Sequence, residues 1–300
     1  MTDWQPYSAR LRGDLQRLAT LADGLLDAST IEYRGNLNRG EDFVVIAPDW
    51  AWGEPTDELR RLQMTLVPQF EAWWERFYLL LRDAPQELKQ KVVENQVAIH
   101  EWLARDGTSW SGWDVPTTVA EAKSMLGERF ERLGQFLELV APAAAEGGVL
   151  AIPDTSALID APDLAVYPEA LGVADADLYL VPGVLSELDA LKDQGRNQDV
   201  RDKARAAGRA IRDLRQGGSL LDGVEIAAGV RVFSRPQEPQ FEGLPGRLDR
   251  SVPDDRILAA AFELQREHPT AAVVLVTGDM NLQTKAELAR LPFAEPPAKP

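Results

Sequence analysis

Apolar positions in this chain change their spacing about half way along. Up to residue 140 they recur with the 3.6-residue period of a helix face. Leu11, Leu15, Leu18, Ala22 and Leu25 form one stripe. Leu59, Leu62, Leu66, Phe70, Trp73, Phe77 and Leu80 form a second, which Pro68 is expected to bend. A third runs through Leu88, Val92, Ile99 and Leu103, and a fourth through Val119, Leu126, Phe130, Leu133, Leu137 and Val140. Stripes of this period predict amphipathic helices, and four of them predict an antiparallel all-α bundle over residues 1–140. Between the first two, Phe43 to Ile46 reads as a lone strand or a packed loop.

Ala141 to Gly148, A-P-A-A-A-E-G-G, marks a domain boundary. Beyond it the apolar runs become short: Val149–Ile152, Leu178–Val181, Val230–Phe233 and Val273–Val276. Each is long enough for a buried strand and too short for a helix. They alternate with helical patterns at Val184–Lys192, Asp199–Gln216, Asp254–Glu267 and Leu282–Leu291. That alternation predicts an α/β domain with a parallel sheet over 148–291. The tail, 292–300, carries four prolines and is expected to be disordered.

Composition narrows the chemistry. The 300 residues carry a formal net charge of −16, which disfavours long-range attraction to a polyanion or an anionic membrane unless cations cluster locally. The absence of cysteine excludes disulfides, thiolate zinc sites and a Cys nucleophile. Two histidines, His100 and His268, lie in different halves, so a Ser-His-Asp triad or a His-rich metal site is not expected. With no 18-residue apolar run and no apolar segment at the start, no membrane association and a cytoplasmic protein are the expectation. All eight tryptophans precede residue 114. Trp73 and Trp102 read as bundle core, whereas Trp50, Trp52, Trp110 and Trp113 sit in Gly- and Pro-containing segments where they could stack bases or anchor a partner.

Carboxylates recur at the junctions between strands and helices. Asp154 ends the first strand, in I-P-D-T-S-A-L-I, and Glu187 stands one turn into the helix after the second. Asp254 and Asp255 lie in the first turn opened by Pro253, and Asp279 follows the fourth strand in V-T-G-D-M-N. Any one of them is explained by helix capping. In a parallel sheet, however, these junctions share one edge, so Asp154, Glu187, Asp254 and Asp279 can converge. Like charges at about 4 Å repel by roughly 4 kcal/mol at an effective dielectric of 20, so a converged cluster calls for a cation. Carboxylates without Cys or His select hard ions, Mg²⁺ or Mn²⁺, whose remaining ligands are commonly water and phosphate oxygens. A phosphodiester is the natural substrate.

Residues 148–291 resemble a PIN domain, the small α/β nuclease fold. D-T-S-A-L-I is similar to its first motif, S-E-L-D to the second, D-D-R-I-L-A-A-A to the third and V-T-G-D-M-N-L to the fourth. The last motif and the long loop before the third are most like PIN domains fused to PhoH-type ATPases, although no G-x-x-x-x-G-K-[ST] is present. The resemblance implies a Mg²⁺- or Mn²⁺-dependent endoribonuclease. Asp154 and Asp279 would be the principal metal ligands, with Glu187 and Asp254 completing a four-carboxylate catalytic site. Asp254 rather than Asp255 is picked as the third acid by its spacing to Ile257. Ser156 would orient Asp154 or cap its helix, and Lys285 would touch a phosphate or balance the acids. The first half resembles no family, and a protein partner for it is one expectation.

A substrate polyanion also needs cations. Lys192, Arg196, Arg201, Lys203, Arg205, Arg209, Arg212 and Arg215 face Asp193, Asp199, Asp202 and Asp213 in one stretch directly after the second motif. Arg205, Arg209 and Arg212 are the candidates for binding a single-stranded RNA backbone; the alternative is a solvated face of Asp–Arg pairs. A non-cleaving RNA- or protein-binding module remains the competing function, and a homodimer is left open.

Overall fold

The structure, a computed structural model, describes residues 4–33, 49–105, 115–142, 147–195 and 197–298. Phe43 to Ile46, Trp110, Trp113 and Arg196 lie outside the described residues. The chain divides into two compact units, one of residues 10–142 and one of residues 1–9 with 143–300.

In the first unit the four stripes become four helices: α1 (Tyr7–Asp27), α2 (Asp57–Leu79), α3 (Gln86–Ala104) and α4 (Val119–Val140). The Thr56 side chain caps α2 by accepting from the Leu59 N–H, and Thr118 does the same for α4 at Glu121. α2 runs through Pro68 without a break. Phe70, Trp73, Phe77, Ile99, Leu133 and Leu137 are fully buried. Polar ties fix the packing register. The Trp73 indole donates to the Leu11 carbonyl at 2.9 Å, the Asn95 amide to the Arg129 carbonyl at 2.9 Å, and Arg76 pairs with buried Asp14 at 2.7 Å. A two-stranded ribbon, β1 (Ile31–Tyr33) with β2 (Trp50–Trp52), joins them. Trp50 and Trp52, read from sequence as loop aromatics, lie on this ribbon. Trp50 packs against Tyr33; Trp52 packs edge-on against Trp102 and under the Arg105 guanidinium, 3.6 Å away.

The second unit is the α/β half. Its strands are β3 (Val149–Pro153), β4 (Ala176–Leu180), β5 (Val224–Ala227), β6 (Val230–Ser234), β7 (Ala272–Val276) and β8 (Phe293–Ala294), in the order β5-β6-β4-β3-β7-β8. All neighbours are parallel except β5 with β6. The helices between them are α5 (Thr155–Asp160), α6 (Tyr167–Leu171), α7 (Pro182–Gln194), α8 (Gln198–Leu214), α9 (Pro253–Glu267) and α10 (Met280–Leu288). Every residue of β7 is buried, as a strand covered on both faces requires.

Two expectations are corrected in this unit. Phe293 and Ala294 are not part of a disordered tail: they form the edge strand β8, because the Leu275 and Thr277 amides donate to the Pro292 and Ala294 carbonyls at 2.9 and 3.0 Å. Trp4, counted with the helical half, donates its indole N–H to the Leu171 carbonyl at 2.8 Å and packs on the α/β core. The backbone amides of Tyr7 and Ser8 likewise donate to Ala271 and Pro269. No helix among the described residues is long and apolar enough to cross a membrane.

Candidate active site

Strand order decides where the acids meet. β3 is flanked by β4 on one side and β7 on the other, so the chain leaves the carboxyl end of β3 in one direction and that of β7 in the other. This is the crevice where open α/β sheets place ligands. Pro153 pairs with Val276 in the β3–β7 ladder, so the next residues, Asp154 and Thr277, stand side by side.

Asp154 is the buried member of the cluster, at 4% exposure. Its carboxylate caps α5 by accepting from the Ala157 N–H at 2.7 Å, accepts from the Ser156 hydroxyl at 2.8 Å, and accepts a short bond from the Thr277 hydroxyl. Burial pushes this carboxyl above its ordinary value; the bonds from Thr277, Ala157 and Ser156 oppose the rise, and the charge of Asp279 adds to it. Asp279 is solvent-exposed and caps α10, accepting from the Asn281 and Leu282 amides at 2.7 and 3.3 Å. Its own amide donates to the Thr277 hydroxyl at 3.0 Å. One fully buried hydroxyl thus links both acids.

The other two candidates are held from the side. Glu187, exposed on α7, accepts from the Thr155 hydroxyl at 2.7 Å. Thr155 is the residue after Asp154, so the second acid is fastened to the helix that the first one caps. Asp254, in the first turn of α9, accepts from the Asn281 amide at 2.7 Å and pairs with Lys285 at 3.2 Å. Asn281 therefore ties Asp254 to Asp279. Lys285 also donates to Asp255 at 2.8 Å, and burial of its ammonium is outweighed by these two carboxylates, which raise its pKa. Asp255, read as an ordinary first-turn acid, is 8% exposed and also accepts from the Asp249 amide at 2.9 Å. Asp154, Ser156, Asp279 and Asp254 thus belong to one hydrogen-bonded constellation through Thr277 and Asn281, whereas Glu187, among the described residues, bonds only Thr155, the sequence neighbour of Asp154. Thr155, Thr277 and Asn281 are the unpredicted partners. Thr277 lies inside the fourth motif, but nothing in the sequence says that its side chain crosses to Asp154.

The donor set is oxygen only, which suits a hard divalent cation. Among the described residues no three acidic or histidine side chains stand together as one ion's ligands. One or two carboxylates are the usual protein share of a Mg²⁺ site, with waters and phosphate oxygens completing it. The Asp154–Asp279 pair fits that description.

The cationic stretch forms α8, capped by Asn197. Ala204 and Ala207 pack against Leu188 of α7, with Leu191, Ile211 and Ile159 of α5 around them. α8 is therefore fastened to the two helices that begin at Asp154 and carry Glu187. Arg205 pairs with Asp202 at 3.3 Å and Asp193 at 3.9 Å. Arg209 and Arg212 are exposed and make no ion pair among the described residues.

Fold and site together define an α/β domain with an acidic centre at the sheet's switch point, preceded by an all-helical region. Residues 151–295 match the family model of the PIN domain, a family that generally comprises metal-dependent nucleases. The first half of the chain is unassigned by that match. No curated protein matches the chain.

Proposed function

We propose that this protein is a Mg²⁺- or Mn²⁺-dependent endoribonuclease that cuts single-stranded RNA. The observation that carries the reading is the meeting of Asp154 and Asp279, bridged through Thr277, where the sheet's connections diverge. Burial, with the charge of Asp279 added, makes the Asp154 carboxylate costly to ionise, and a cation would remove that cost. The ion would polarise the phosphate and lower the pKa of an attacking water.

The side chains supply the positioning. Asp154 and Asp279 would hold the ion, with Ser156 and Thr277 fixing the Asp154 oxygens. Glu187, steadied by Thr155, and Asp254, steadied by Asn281, would form the walls. Lys285 offsets the charge of Asp254 and Asp255 and keeps a cationic head within reach of a phosphate. α8 packs through Ala204 and Ala207 on Leu188, one residue after Glu187. Arg209 and Arg212 of that helix, with Arg205, would draw the RNA backbone in against the net charge. A cytoplasmic location goes with such a substrate, and the helical unit would engage a partner protein.

A non-cleaving binding module is the second reading, favoured by one observation: Lys285 occupies Asp254. Incubating single-stranded RNA with the full chain in Mg²⁺, Mn²⁺ or chelator separates the two. The nuclease reading expects cleavage that chelator and Asp154→Asn both abolish. RNA bound but uncut under every condition would leave the binding module.

A further inference from the structure

The chain between β6 and α9 forms a cavity of about 800 Å³, within the usual range for ligand sites. Its walls include Glu238, Gln240, Phe241, Glu242 and Arg250 from the loop and Arg256 from the first turn of α9. None of these residues belongs to the acidic constellation, yet the cavity adjoins it. Arg256 follows Asp254 by two positions, and its Cβ would lie 3.6 Å from a Cβ placed at Gly183, in the first turn of α7. The far end of the loop is tied to the site as well, through the Asp249 amide on Asp255.

The near end is equally firm. Arg235 pairs with Glu263 at 3.0 Å and with Glu267, and the Gln240 amide donates to Glu263 at 2.9 Å. Glu263 is buried, so these bonds hold the loop down where Phe241 begins the cavity. Phe241 is half-buried, and the Arg250 guanidinium lies over its ring at 5.4 Å. Arg250 is exposed and makes no ion pair among the described residues; Arg256 pairs with Glu238 at 2.5 Å.

Two Arg and two Glu leave this wall electrically balanced, so it does not recruit a polyanion by charge. A flat aromatic ring, an exposed guanidinium and the exposed Gln240 side chain are instead the groups that hold an unstacked base. We infer that this groove holds one unpaired base of the RNA strand next to the scissile phosphate, stacked on Phe241 and covered by Arg250. The inference rests on the endoribonuclease reading for its substrate. It gives the enzyme a preference for single strands, because a base inside a duplex cannot reach the ring.

Single-stranded RNA carrying 2-aminopurine reports stacking through fluorescence quenching, and chelator keeps the RNA intact while the full chain binds it. The wild-type chain should quench the probe. Phe241→Ala should weaken binding by about 5- to 150-fold, the range for one base on one aromatic ring, and abolish the quench. The slope of affinity against salt should not change, because every neutralised phosphate keeps its cation. Phe241→Leu, which keeps apolar volume without the flat face, should lose the quench too, and Phe241→Trp should restore it. Unchanged affinity and quench in Phe241→Ala, no binding by the wild type, or a duplex that competes as well as the single strand would each overturn the groove. The nuclease reading fails separately: a chain that quenches the probe but never cuts RNA with Mg²⁺ or Mn²⁺ keeps the groove and loses the enzyme.

Discussion

Thr277 concentrates the chemistry of the site into one hydroxyl. It donates to Asp154, accepts from the Asp279 amide and is itself fully buried. Thr277→Val keeps the shape and removes both bonds, leaving a buried carboxylate short of a donor. The expected loss is about 1.5–3 kcal/mol of stability by denaturant unfolding, with Thr277→Ser largely restoring it. Asp154 also carries a pH signature. Its carboxyl is raised above 3.8 in the folded chain, so the native state keeps a proton that the unfolded chain has released. Stability from this group is therefore complete below 3.8 and declines as pH rises through the native value. A divalent cation should reverse the decline. Without metal, the melting temperature of the wild type relative to that of Asp154→Asn should fall with rising pH across that window, and added Mn²⁺ should raise the wild type's melting temperature more at neutral than at acidic pH. A rise of equal size at both would place the ion elsewhere.

Elements, rather than single residues, decide how the site meets its substrate and how β7 is covered. α8 has buried alanines on one side and arginines on the other, so its cations can be removed without touching the core. Arg205, Arg209 and Arg212 all replaced by Ala should weaken RNA binding and flatten its salt dependence by about 0.7 for each phosphate no longer neutralised. Unchanged affinity and slope would make α8 only a solvated face paired through Asp202 and Asp193. β8 covers the other flank. Ending the chain after Leu291 removes the carbonyls that accept from Leu275 and Thr277 and exposes the edge beside the site. It should cost about 1–3 kcal/mol, two backbone bonds at roughly 1 kcal/mol with some packing. Ending after Ala298 should leave the melting temperature unchanged.

At the scale of the whole molecule, the first nine residues are the part whose allegiance runs against chain order. They cluster with residues 143–300, and Trp4 buries part of its ring on that core while its N–H bonds Leu171. Trp4→Ala should lower the stability of the α/β half by about 2 kcal/mol, below the cost for a fully buried aromatic because Trp4 is half-buried. A melt of the full chain resolved into two transitions would show that change in only one of them. A shift confined to the other transition would contradict the assignment. Net charge acts at this scale too. At −16, long-range repulsion of RNA is relieved by salt even as local phosphate contacts are weakened, so association should be slowest in low salt without divalent cation.

Periodicity and junction chemistry are local, and what depends on them was legible in the sequence. The stripes at Leu11, Phe70, Ile99 and Leu133 became helices because an apolar face needs a partner whatever that partner is. The strands Val149 and Val273 begin, the acids that follow them and the resemblance to the PIN domain could be read for the same reason. Strand β5, the edge strand β8 and the ribbon under Trp50 and Trp52 were missed, because Pro-rich or two- to four-residue strands owe their pairing to neighbours distant in sequence. Only the tertiary structure set β7 beside β3, and that adjacency alone makes Asp154 and Asp279 neighbours and brings Thr277 between them. It also assigned Lys285 to Asp254 and Asp255, fastened Glu187 through Thr155, and folded Phe241 and Arg250 into one groove. Each of these joins residues whose local preferences say nothing of one another. Sheet order and burial decide them, and those follow from packing the whole domain at once.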